Sequence, residues 1–395
     1  MAAEAVRVAH RMSGRLISFA VALLTAASAL AQPSAPASLA GPMKEVEKLR
    51  GLSFLHDVKH QQIDRAELPA RMREQLAKSL PYPPEDLVTI LRALQLVDPQ
   101  TKNVLDKMID LYDQQVLAYY DPQTHVYYSL SKPPAAASGM DADMLAETVE
   151  LHELTHALQD QVFNAGVRDE KLKDDTDGSM AYHSLLEGEA TLVMMASMMS
   201  KLGKSVDDLA ANDMLLGVLS EAAAADKSMG TDMPKYFTES LKFPYIEGLR
   251  FCVIAYRHGG WKSLDRVHGN PPRTTREILH PEEYFARLDG KAPTPAPFDD
   301  RERMNPNVLT VEHLGEFHWR FLVGAEASKG WVDDHVVVTQ DAACRTTVNA
   351  ETRWENAARA SAFRDAYVAF LRDRAIEPVK VASDGNVVRV EYRAE

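Results

Sequence analysis

The sequence predicts a predominantly helical α+β protein with a small C-terminal α+β region. Three observations predict it. Apolar residues recur at helical spacing over long stretches, above all "DADMLAETVELHELTHALQDQVF" and "GSMAYHSLLEGEATLVMMASMMS". Short β-rich runs flank turn sequences, as in "VLAYYDPQTHVYYSL". A Pro-rich break, "KAPTPAPFDDRERMNPN" at 291–307, separates a body at 44–290 from a smaller region at 308–395.

The elements follow in chain order. Arg7, Arg11 and Arg15 precede the apolar run Leu16 to Ala31, which ends in the small-x-small site Ala29-Leu30-Ala31; residues 1–31 read as a secretory signal peptide. The run is shorter than the ~20 residues of a spanning helix, so an uncleaved anchor is the lesser alternative and no stable membrane span is expected after cleavage. Residues 32–43, rich in Pro, Ala and Ser, read as a flexible leader. From Lys44 the pattern predicts a helix, a strand near Val58 and a second helix from Arg65. "PPEDLVTILRALQLV" and "TKNVLDKMIDLYDQQ" follow as helices. Asp121-Pro122-Gln123-Thr124 is the turn of a hairpin over 116–130. A long helix with Asp141 or Asp143 as N-cap comes next, then a polar loop, then a second long helix capped by Asp177. Its "LVMMASMMS" stripe reads as core. Further helices are expected near 205–223 and 246–258, and a short one after Pro271-Pro272, ending at His280-Pro281. Beyond the break come a helix at 310–323, a strand at "HVVVT", a helix at 355–373 and a hairpin around Asp384-Gly385-Asn386.

Charge narrows the partners. Lys and Arg total 44 against 57 Asp and Glu, a net −13, and loss of residues 1–31 removes three arginines and one glutamate to leave −15. No basic stripe is available for phosphates, so a nucleic-acid partner is not expected. The two cysteines, Cys252 and Cys344, are open to pairing in an exported protein or to a buried free thiol at Cys252.

"LHELTHALQD" carries the chemistry. His152 and His156 are four apart, so a helix places both imidazoles on one face, one turn apart, where two nitrogens can meet one Zn²⁺ at about 2.0–2.1 Å. Glu153 projects beside them as the base that holds a water and takes its proton. The bland alternative is a surface helix that happens to carry His and Glu. Zinc needs a third protein ligand and leaves a fourth position open. The metzincin extension fails, since Gln159 and Val162 stand where Gly and His are required. "LLEGEATLV" offers a glutamate instead: Glu187, with Glu189 as the rival pointing to another side of the helix. His183, one turn before Glu187, is read as a neighbour or solvent-facing rather than a ligand. His280 is open to a role as transition-state donor or as a satisfied structural histidine.

"HELTH" followed by "EGEAT" resembles the gluzincins, zinc peptidases of the thermolysin and aminopeptidase-N kind. The ligand glutamate of the aminopeptidase-N branch sits in Asn-Glu-Gly-x-Ala, which Glu187-Gly188-Glu189-Ala190 matches, with Leu186 at the Asn position. The resemblance implies Glu187 as ligand, and a zincin-like domain over 44–290. "FPYIEGLRF" resembles the Pro-Tyr-x-x-Gly segment of the same branch, whose tyrosine stabilises an oxyanion; this implies that role for Tyr245. With "GGW" and "ILHP", the stretches also look like an uncharacterised bacterial group of gluzincin-like proteins, and together they cover about residues 145–285. The chain lacks the Gly-x-Met-Glu-Asn strand that grips a free amino terminus, so the resemblance does not extend to exopeptidase activity.

The resulting expectation is an exported, periplasmic or extracellular zinc metallopeptidase acting on peptides or proteins by a metal-activated water. His152, His156 and Glu187 are its zinc ligands, Glu153 its general base, and Tyr245 and His280 its transition-state donors. The alternatives are a catalytically inactive, zinc-stabilised envelope binding or scaffold protein, and a metal-free binding protein. Oligomeric state and the role of residues 308–395 stay open.

Overall fold

A computed structural model describes residues 38–79, 83–131, 142–212, 217, 233–291 and 307–394. Helices predominate over strands among them. The expected signal peptide, most of the leader and most of the Pro-rich break lie outside the described residues.

Helix α1 (Ala40–Arg50) starts within the expected leader, because Met43 and Val46 turn inward one turn apart; Gly51, at φ 76, ends it. Strand β1 (Lys59–Ile63) leads through a 3-10 turn at Arg65–Glu67 into α2 (Leu68–Ser79). Helices α3 (Pro84–Ala93) and α4 (Val104–Gln115) follow, the first with Pro at its N-terminus. The hairpin forms as β2 (Ala118–Asp121) and β3 (Val126–Leu130), with Tyr120 opposite Tyr127. Asp121 builds its turn by accepting from the Gln123 N–H at 2.8 Å and the Thr124 hydroxyl at 2.9 Å. Strand β1 adds to β3 in parallel, giving a three-stranded sheet of order β1-β3-β2, so β2 is an edge.

Two long helices form the centre: α5 (Ala142–Phe163) and α7 (Thr176–Lys201). Asp143 lies inside α5 and so is not its cap, while Asp141 is outside the described residues. The connection is not all loop, for Asn164 at φ 56 starts a short α6 (Ala165–Lys171). Nor is Asp177 the cap of α7. Asp175 has the extended backbone and accepts from the Gly178 N–H, whereas Asp177 is buried in the first turn, accepting from Thr275. Met195 and Met199 pack against the main core.

The helix expected near 205–223 is shorter at its start: α8 (Val206–Ala210) ends with Ala211 as its C-cap, and most of 213–223 lies outside the described residues; α9 then spans Lys235–Arg257. It begins well before the expected 246 and carries Pro244 in its interior, so the carbonyl of Ser240 receives no N–H from that position. Helices α10 (Trp261–Gly269), α11 (Thr275–Leu279) and α12 (Pro281–Leu288) complete the body.

The C-terminal region is a five-stranded antiparallel sheet backed by helices. Residues 308–312 form β4 (Val308–Glu312), not the start of a helix: the segment carries the β-branched Val308, Thr310 and Val311 and pairs antiparallel with the next strand. Gly315, at φ 77, then turns the chain into α13 (Gly315–Val323). The rest is α14 (Ala325–Ser328), β5 (Trp331–Gln340), β6 (Thr346–Trp354), α15 (Ala357–Arg372), β7 (Lys380–Asp384) and β8 (Val387–Ala394), with sheet order β4-β5-β6-β8-β7. Sequence reading overlooked β6, although its inward and outward residues alternate.

One apolar cluster runs through both sides of the Pro-rich break. Leu87, Ile90, Tyr182, Leu185 and Phe251 share it with Trp319, Trp331, Trp354, Phe363 and Tyr392. The Tyr392 hydroxyl donates to the Ala93 carbonyl at 2.8 Å within it. A second cluster, including Val46, Tyr120, Val149, Leu154 and Leu158, fixes the apolar side of α5.

Candidate metal centre

The apolar side of α5 leaves its other face to carry His152 and His156, one turn apart. Glu187 reaches them from α7. Helix α9 comes so close to α7 that neither tolerates a side chain at the crossing. A Cβ at Gly188 would stand 2.2 Å from the Gly248 backbone, and one at Gly248 would stand 2.1 Å from the Ser184 carbonyl. That approach sets Tyr245, three residues before Gly248, beside His152 with ring centroids 6.1 Å apart.

Three donors converge. The Nε2 atoms of His152 and His156 are 3.1 Å apart, and Glu187 Oε2 lies 3.0 Å from the first and 3.4 Å from the second. A tetrahedral ion with bonds of 2.0–2.1 Å would space its ligands about 3.3 Å apart, so the triangle has the size of one face of such a shell. Two imidazole nitrogens facing each other over a carboxylate are three lone-pair donors, which a cation satisfies together. The residues therefore fit a divalent metal.

Burial and charge act on each group. Burial lowers the His152 pKa and pushes Glu153 up to about 8. Burial also pulls His156 down, but the Glu187 carboxylate outweighs it and raises the imidazole to about 9. Against its own burial, Glu187 is held well below the usual carboxylate range by His156 and His152. Glu153 Oε2 accepts from the Tyr120 N–H of β2 at 2.9 Å; its Oε1, like His152 Nδ1, is buried without a partner among the described residues. His152, Glu153 and Glu187 are at most 3 % exposed.

The other expected residues divide. Glu189 stands apart from the triad, accepting from Arg50 Nε at 2.5 Å, His268 Nε2 at 2.6 Å and Gln159 Nε2 at 2.7 Å. Against burial, Arg50 and His268 keep its carboxylate well below the usual range. His183 lies against the Ser179 carbonyl at 2.9 Å and Asp169 at 3.4 Å, outside the triad. His280 joins α11 to α12 and pairs with Glu316 of α13 at 2.9 Å; that bond raises its pKa. Its described partners are acids of the body surface and the C-terminal region, which does not bring it to the triad. Cys252 is buried and Cys344 exposed, and both are free.

Sequence reading missed the polar residues behind the triad: Tyr120, Gln159, Arg50, His268 and Asp265. Gln159 was within reach, since it stands three residues after His156 on the same face. Arg50 was not, for nothing local ties α1 to α7.

Residues 290–395 match a family model described as a domain of unknown function, DUF8575. No curated protein matches the chain, and no solved structure matches it. Among the described residues no helix is long and apolar enough to cross a membrane.

Proposed function

We propose that the chain is an exported zinc metallopeptidase of gluzincin type. Its zincin-like domain would hold Zn²⁺ through His152, His156 and Glu187 and hydrolyse peptide bonds in peptides or proteins of the cell envelope. The observation that carries this reading is the triangle of 3.0, 3.1 and 3.4 Å among the three donor atoms, beside a buried carboxylate one residue from His152. Zinc bound there would polarise a substrate carbonyl and lower the pKa of water.

The chain's own groups supply the rest. Glu153, fixed by the Tyr120 N–H and raised toward neutral pH, is suited to take a proton from the attacking water and return it to the departing amine. Tyr245, beside His152, would turn its phenol to the negative charge that develops on the carbonyl oxygen. The pairing of His280 with Glu316 favours a structural role for it, so the donor role passes to Tyr245 alone.

One observation favours the second reading, a catalytically inactive zinc-stabilised scaffold. His152, Glu153 and Glu187 are almost wholly covered, and of the triad only the His156 side chain, 13 % exposed, reaches solvent. Digestion of casein and a peptide library by the zinc-loaded protein separates the two. The peptidase reading expects cleavage by the wild type and a fall of about 10²–10⁴-fold in Glu153→Gln with zinc content unchanged. Equal cleavage by the two proteins would sink it, and no cleavage with stoichiometric zinc would leave the scaffold.

A further inference from the structure

The polar group behind the triad has a direction built into it. Gln159 Nε2 donates to the Leu186 carbonyl at 3.0 Å and to Glu189 Oε2 at 2.7 Å. A peptide carbonyl only accepts, so the Leu186 oxygen alone decides which end of the amide faces it. The amide oxygen is then left facing His156, 2.9 Å from Nδ1. An amide oxygen cannot donate, so His156 Nδ1 must carry the proton of this bond. In the neutral imidazole that a metal requires, this leaves Nε2 as the nitrogen with a lone pair, and Nε2 is the atom turned toward His152 and Glu187.

Glu189 in turn is held from three sides. Arg50 of α1 donates to Oε1, and His268 of α10 and Gln159 meet Oε2. Arg50 also reaches Asp265 at 2.7 Å, and its guanidinium lies over the rings of Phe163 and Trp261. Glu189, His268, Arg50 and Gln159 are at most 2 % exposed, so the chain from Arg50 to the Gln159 amide is sheltered from competing water.

We propose that Gln159 is a positioning residue for the metal ligand His156. Glu189, clamped by Arg50 and His268, anchors the Gln159 amide so that Nε2 of His156 is the coordinating atom. The inference rests on the reading of the triad as a metal centre and deepens it: the strength of metal binding is set partly by a carboxylate that does not touch the metal. Bonds of this kind to ligating histidines are worth about 10–100-fold in metal affinity.

The experiment is chelator competition for zinc with wild type, Gln159→Met, Glu189→Gln, the double variant and His152→Ala. Unfolding of each metal-free protein is followed alongside. We expect wild type to bind one zinc, His152→Ala to lose it, and Gln159→Met to weaken it about 10–100-fold. Glu189→Gln weakens it in the wild-type background and adds nothing once Gln159 is Met, because the hydrogen-bonded path from Glu189 to His156 runs through that amide. A merely structural loss would lower the unfolding midpoint and leave the two effects additive. Additivity, or wild-type affinity in Gln159→Met, overturns the inference while leaving the metal centre standing. A wild type that binds no zinc overturns both.

A second measurement needs no variant. Imidazole nitrogen–proton correlation spectra of the zinc-loaded, ¹⁵N-histidine-labelled wild type should show His156 protonated at Nδ1 and coordinated at Nε2. The reverse tautomer would overturn the assignment even if every variant failed to fold.

Discussion

At the residue scale, the proposed reaction divides two jobs between Tyr245 as donor and Glu153 as base, and each makes a separable prediction. Tyr245→Phe keeps the ring that stacks on His152 and removes only the hydroxyl. Turnover is expected to fall by about 10²–10³-fold while KM and zinc content stay near wild type, as peptide kinetics and metal analysis would show. The pH response follows from His156 and Glu153. The folded imidazole, raised from 6.5 to about 9, stabilises the metal-free protein fully below pH 6.5, and that stability is lost as pH rises through 9. Glu153, raised from 4.5 to about 8, acts in the same direction between those values. Zinc must displace the proton on His156, so its apparent affinity should rise up to about tenfold per pH unit from 6.5 to 9. Metal-free melting curves and chelator competition across that window should therefore move oppositely. The histidine pair was legible because helical spacing fixes His152 against His156 whatever surrounds them. Glu187 was legible only with the help of a family pattern, since periodicity alone could not choose between two glutamates. Arg50 and His268 were illegible: a buried charge network is made by tertiary approach, and nothing in the flanking residues announces it.

At the scale of elements, the crossing of α7 and α9 matters most. Gly188 and Gly248 sit in two stretches that sequence reading valued for the Glu and Tyr beside them. Their own task is steric: they let two backbones touch, and the touch carries Tyr245 to the triad. Gly188→Ala should therefore cost stability at the upper end of about 1–3 kcal/mol, measured by denaturant unfolding. It should also depress turnover and weaken zinc binding together, because the crossing holds Tyr245 on α9 and Glu187, the neighbour of Gly188, on α7. Most elements were readable from their own periodicity. The failures share a cause. The β4 segment, the start of α9 and the cap of α7 all depend on partners far along the chain: β5 for the first, His318 and Phe321 against Tyr236 for the second and Thr275 for the third. A local pattern cannot report such partners.

For the whole molecule, the Pro-rich break divides the chain but not its interior. The apolar cluster that seats α7 and α9 is completed by Trp319, Trp331, Trp354 and Phe363, and α7 is tied to the segment before α13 by a 3.0 Å bond from the Asp177 N–H to the His313 carbonyl. A protein ending at residue 290 is thus expected not to fold cooperatively. Limited proteolysis and calorimetry should show loss of the cooperative transition, and with it loss of the candidate metal centre. This gives residues 308–395 a physical task, that of completing the core, which their sequence did not disclose.

The same arrangement gives the protein a built-in optical reporter. Of its four tryptophans, Trp319, Trp331 and Trp354 lie in the C-terminal region, where the first two indoles both donate to one carboxylate oxygen of Asp334 at 2.9 Å. Their emission should track the seating of that region on the shared core. Trp261 is the exception: with the Arg50 guanidinium 5.1 Å above its ring, it listens to the far end of the chain of groups that steadies His156.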